Sequence, residues 1–320
     1  GRVSGGYNIG IIAGAGVNTS FINCRAEGIV TSQVQENGMF PAQSSAGGIL
    51  GCIDASAGKK QMIFENCTNY AEVSASGAMA GGIAGNMGNR ESEITIKGCE
   101  NYGKISGSDG VGGIIGGTDN FYLIDYNISD CKNFERISAF GIETTLAVNG
   151  DAGGIAGKIY TQRTKDNPDY GVIFSGCENE GTISGSIFAG GIVGNIPTAT
   201  ESQSLDGLIY ANLDNCINRG FISGSSPNSG IGGLAGSLGD VVSGKSVLSG
   251  SRNTGNISGM AKNAGGLVGR LGKSWAIEES YNNGNILVTD AAGPAYIGGI
   301  AAFAAGDDSM YRSYNTGNMR

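Results

Sequence analysis

The stretch FSGCENEGTISGSIFAGGIVG, Phe174–Gly194, is repeated along the whole chain, and that recurrence limits the fold more than any other feature. Its first half recurs around Cys24, Cys67, Cys99, Cys131, Cys177, Cys216, Ser251, Ser280 and Ser313, at steps of 29 to 46 residues. Two residues on stands Asn69, Asn101, Asn133, Asn179, Asn218, Asn253, Asn282 or Asn315, with Ala26 alone breaking the series. Two further on is Gly28, Gly103, Gly181, Gly220, Gly255, Gly284 or Gly317, replaced by Ala71 and Glu135 in two units. An apolar position follows: Val30, Val73, Ile105, Ile137, Ile183, Ile222, Ile257, Ile286 and Met319. The second half reads AGGILG from Ala46, AGGIAG from Ala80 and Ala152, VGGIIG from Val111, AGGIVG from Ala189, IGGLAG from Ile231, AGGLVG from Ala264 and IGGIAA from Ile297, with IGIIAG from Ile9 a variant. Recurrence on this scale marks a repeat architecture in which each unit buries its apolar face against its neighbours.

Each half is a few aliphatic or β-branched residues bounded by Gly, Asn and Ser, which predicts strands; no stretch sustains an apolar stripe at helical period. Three short strands per repeat describe one coil of a β-solenoid, and parallel crossovers favour the right-handed form. Stacking at about 4.8 Å per coil predicts a rod about 40 Å long. The 59 glycines fall at no three-residue period, which excludes collagen. They serve instead at corners that need φ > 0 and where backbones approach closely. The repeated Asn predicts an inward-facing ladder, each amide bonded to the amide of the next coil.

Gly-Gly-Ile/Leu-x-Gly followed by Cys/Ser-x-Asn-x-Gly-x-Ile resembles the GLUG-motif repeats of bacterial exported and cell-surface proteins, including stalk regions of immunoglobulin A proteases and adhesin-like proteins. AGGLVG at Ala264–Gly269 and AGGIAG at Ala152–Gly157 carry the resemblance best, and it covers essentially the whole chain. It implies an extracellular, bacterial surface-attached solenoid that acts as a non-catalytic stalk or adhesin-like scaffold. The partners it implies are a host glycoprotein, a mucin glycan or an immunoglobulin. The opening GRVSG and closing SYNTGNMR read as pieces of further repeats, so residues 1–320 are expected to be one solenoid domain cut from a longer array.

The remaining chemistry is narrow. Six of the seven cysteines share one repeat position that Ser takes in three other units; a stacked core residue tolerates that exchange and a half-cystine does not. Reduced, buried thiols are therefore expected, with Cys52 apart from them near a coil corner. The chain has no histidine, so Ser-His-Asp and Cys-His catalysis and the HExxH zinc site are impossible within it. Gly239–Ser246 satisfies the phosphate-loop pattern GxxxxGK[ST] but leads into another repeat strand, not the helix a phosphate needs. A net charge of -8 without a basic run argues against nucleic acid, and no apolar run is long enough to span a membrane. No metal or cofactor is expected.

A polysaccharide-active β-helix enzyme is the rival reading, and it needs carboxylates gathered from successive coils. Asp130 and Asp214 lie two coils apart and out of register, while Glu278-Glu279 and Asp307-Asp308 read as solvated surface. The candidate binding residues lie instead in long insertions of coils four to six, which must emerge side by side. These supply Phe121, Tyr122, Tyr126, Tyr160, Tyr170 and Tyr210, with Asp166 and Asp169 in a conceivable Ca²⁺ loop. Aromatics mixed with carboxylates suit sugar stacking or a protein contact; the plainer alternative is hairpins packing their rings on the solenoid wall. Insertions at Thr31–Ser45 and Phe140–Asp151 lie on another spacer.

Overall fold

The computed structural model describes residues 1–33, 44–53, 60–77, 79–88, 91–118, 123–141, 150–160, 171–198, 210–241, 245–290 and 295–320. The chain is a right-handed parallel β-solenoid of nine coils, with no helix among the described residues. Each coil contributes one strand to each of five parallel nine-stranded sheets, termed faces A to E in chain order. In the first coil the five strands are Arg2–Gly5, Ile9–Gly10, Ala13–Gly16, Ser20–Ile22 and Arg25–Ala26.

Five strands per coil replace the three expected from the pattern. The Gly-Gly-Ile turn divides one apolar run into faces B and C. A backbone corner just before the Cys/Ser position divides another into faces D and E. That corner is left-handed in every coil: Asn23, Asn66, Gly98, Asp130, Gly176, Asn215, Gly250, Glu279 and Arg312 have φ between 49° and 61°. Asn, Asp and Gly tolerate this conformation, and seven of the nine corners use them. The strands of face E are two residues long, too short to show a period of their own.

Register follows the repeat. Asn69 pairs with Asn101, Asn101 with Asn133, and Asn133 with Asn179. The Cys/Ser column stacks as expected: Glu100, Lys132 and Glu178 N–H groups donate to the carbonyls of Cys67, Cys99 and Cys131, each at 2.9 Å. The six ladder cysteines are free thiols, and all but Cys24 are buried. Burial pushes the Cys131 and Cys216 thiols well above their ordinary range, which keeps them protonated and inert. Cys52 is not at a corner: it lies on the face C strand Leu50–Ile53, paired with Ala15 and Asn86.

The Asn ladder runs unbroken from Asn69 to Asn315. Each Nδ2 donates to the Oδ1 of the next coil at 2.6–2.8 Å. Its second proton goes to the carbonyl two residues on, as from Asn101 to Gly103 at 2.8 Å. The second glycine of every Gly-Gly pair presses against this ladder. A Cβ on Gly82 would lie 2.5 Å from Asn101 Oδ1, and one on Gly154 would lie 2.6 Å from Asn179 Cγ. That contact makes the B-to-C turn re-entrant and parts the interior into two apolar lobes. The larger holds the Gly-Gly-Ile isoleucines, Phe64, Phe174, Tyr126 and Trp275; the smaller holds the Ala of each AGG and the Val/Ile of face A.

Candidate functional site

Only part of the expected aromatic face can be placed. Phe121, Tyr122, Asp166, Asp169 and Tyr170 lie outside the described residues. The segments that carry them do join face C to face D in successive coils. Tyr126 is not a surface residue: it sits on face D, fully buried, and its hydroxyl donates to the Met87 carbonyl at 3.1 Å. Tyr126 is therefore a core side chain, because it falls on the inward phase of its strand. Tyr160 and Tyr210 are half-buried at the roots of their insertions. The Tyr160 N–H donates to Thr118 Oγ1 at 2.7 Å, and the Tyr210 hydroxyl accepts from Asn212 Nδ2 at 2.7 Å. Of the phosphate-loop string, 242–244 lie outside the described residues; the segment it leads into, Ser246–Ser249, is a strand and not a helix, and the Gly239 carbonyl is taken by Trp275 Nε1 at 2.8 Å.

A different feature gathers chemistry. The re-entrant turn leaves a lateral groove along the rod, walled by one residue per coil from face B and one from face C. From coil five onward the face B column runs Asp151, Phe188, Gly230, Asn263, Tyr296. The face C column runs Lys158, Asn195, Ser237, Arg270, Phe303. These are the residue before each AGG and the residue just after each GGIxG. The repeat leaves both positions free to vary, and that variability is the signal that sequence reading passed over.

Two parts of the groove stand out. In coil five, Lys158 Nζ lies 3.1 Å from Asp109 Oδ2 and 3.4 Å from Asp151 Oδ2. Asn195 Nδ2 donates to the same Asp151 oxygen at 3.0 Å, while Asp151 Oδ1 is buried with no hydrogen-bond partner. Burial pushes the Asp151 carboxyl up to about 6 against the pull of Lys158. Burial by itself would lower Lys158, but Asp151 and Asp109 more than offset it and hold the ammonium above its ordinary value.

Further along, Phe188, Asn228, Lys262, Asn263, Arg270, Tyr296 and Phe303 line an open cleft of about 470 Å³. Gly230 makes the notch, since a Cβ there would meet the Phe188 ring at 2.8 Å. Tyr296 and Phe303 stand edge to face with centroids 6.0 Å apart. Neither Lys262 nor Arg270 is in an ion pair among the described residues. A cleft with two cations, two amides and three rings can hold an anionic group on a ring-shaped body.

Comparison of the chain with protein-family models, curated proteins and solved structures found no match in any of the three.

Proposed function

We propose that this chain is a non-catalytic, rod-shaped surface module that binds an acidic glycan in its lateral groove. The observation that carries the reading is the cleft in coils six to nine, where Lys262 and Arg270 converge with Phe188, Tyr296 and Phe303 on a molecule of net charge -8. On such an acidic surface, two cations in no ion pair among the described residues favour a carboxylate or sulfate, and the rings favour the apolar face of a sugar. The resemblance to GLUG-motif repeats supports an extracellular bacterial setting and a mucin glycan or host glycoprotein as the source of that sugar. Polysaccharide cleavage is the weaker reading: it needs a pair of carboxylates, and the described residues that line the cleft include none.

Calorimetric titration with uronate- and sialate-terminated oligosaccharides, against their neutral counterparts, tests the proposal. Acidic sugars should bind, and Arg270→Ala or Lys262→Ala should weaken binding about tenfold or more, as loss of a hydrogen bond to a charged group does. Equal binding of acidic and neutral sugars, or no effect of either substitution, would count against it.

A further inference from the structure

The coil-five cluster calls for a reading of its own, independent of glycan binding. We propose that Lys158 and Asp151 become joined by an amide bond between Nζ and Cγ, formed by the folded chain on itself with loss of one water.

The geometry supplies each part of that reaction. Lys158, Asp151 and Asp109 are enclosed, their side chains 12%, 3% and 18% exposed, and Lys158 Nζ touches both carboxylates. The two acids are not equivalent. Asp109 Oδ1 accepts from the backbone N–H of Gly150 at 3.2 Å and of Asp151 at 3.5 Å, and its Oδ2 faces Lys158, so both of its oxygens already serve as acceptors. Asp151 has one oxygen buried without a partner, so its anion is poorly solvated and the cost of protonating it is reduced. Asp109 is therefore the proton acceptor and Asp151 the electrophile. Asn195 Nδ2, donating to Asp151 Oδ2, draws electron density from the carbonyl under attack.

The atoms balance without a co-reactant. Asp109 takes a proton from the Lys158 ammonium and frees the amine. The nitrogen lone pair attacks Asp151 Cγ, and the tetrahedral centre then loses its hydroxyl as water, with a proton from the attacking nitrogen. An amide remains, and Asp109 returns its proton to solvent. Holding amine and acid in contact inside a packed wall makes the step intramolecular, and such placement can be worth about 10⁵ M or more in effective concentration. The bond would tie face B to face C across the re-entrant turn of coil five.

Intact-mass measurement of the full chain decides the matter. The protein should be lighter than its sequence by one water, and trypsin should fail to cut after Lys158. Lys158→Met should restore the full mass. Asp151→Asn should lose one ammonia in place of water, because the leaving group changes. Asp109→Asn should keep electrophile and amine but slow the mass loss, and circular dichroism of each variant checks that it folds. A wild-type chain that stays at its sequence mass after prolonged incubation overturns the proposal. So does a water deficit that persists in Lys158→Met, which would place the dehydration elsewhere.

Discussion

At the scale of single residues, the ladder asparagines do two jobs with one amide. One Nδ2 proton links coils and the other closes the turn that starts the next strand, while Oδ1 accepts from the coil before. A carboxylate in that place would have no proton to give. Asn179→Ala should leave the Asn133 amide proton and the Gly181 carbonyl buried without partners. At about 1–3 kcal/mol for each orphaned group, the loss should be about 2–6 kcal/mol, read as a lower denaturant midpoint. The left-handed corner offers the opposite test. Glu279 holds φ 49° with a side chain that gains little there, beyond an exposed ion pair to Arg312. Glu279→Gly should raise stability by about 1 kcal/mol, and an unchanged melting temperature would mean the corner carries no strain. Cys177→Ser should cost little, because Ser251 Oγ already donates to the Ser249 carbonyl at 2.8 Å, as Cys216 Sγ does to Asp214 at 3.5 Å. A thiol reagent on the native protein should reach Cys24 first and the deeper ladder thiols only on unfolding.

At the scale of an element, face E shows how a repeat position turns into a stripe. Three residues after each cysteine, Tyr70, Tyr102 and Phe134 stack at 5.0 and 4.6 Å with rings within 7° of parallel. Arg25 covers the open side of Tyr70 at 4.5 Å. The rings lie flat on one another and show solvent their edges, so this stripe stiffens the wall and offers no face to a sugar. Tyr102→Ala removes two stacks at once, at about 0.5–1.5 kcal/mol each. It should cost more than Tyr281→Ala, which breaks the single 5.1 Å stack with Tyr314, when both are compared by thermal unfolding.

For the molecule as a whole, stability is a sum of coils and of the contacts between neighbours. Eight steps between nine coils at about 4.8 Å give a rod near 40 Å along its axis, which small-angle scattering can measure. The groove runs parallel to that axis, so its character changes coil by coil while the backbone does not. A wall residue can be Asp151, Phe188 or Gly230 at one register position because only its neighbours in the column constrain it. The core behind them stays aliphatic throughout, Ala, Val, Ile or Leu.

The amino-acid sequence alone determined the stacking. A period that repeats Cys, Asn and Gly at fixed offsets can bury those residues only by placing like on like, so the columns, the ladder and the reduced thiols were legible in it. Tertiary structure decided the rest. Five faces per coil appear because a left-handed corner and a re-entrant turn cut runs that look continuous along the chain. Tyr126 fell inside because the phase of one strand, not its neighbours in sequence, sets which way a ring points. The groove with its Asp109–Lys158–Asp151 cluster joins residues up to 49 positions apart, and it exists only because each second glycine lets the wall fold inward onto an asparagine.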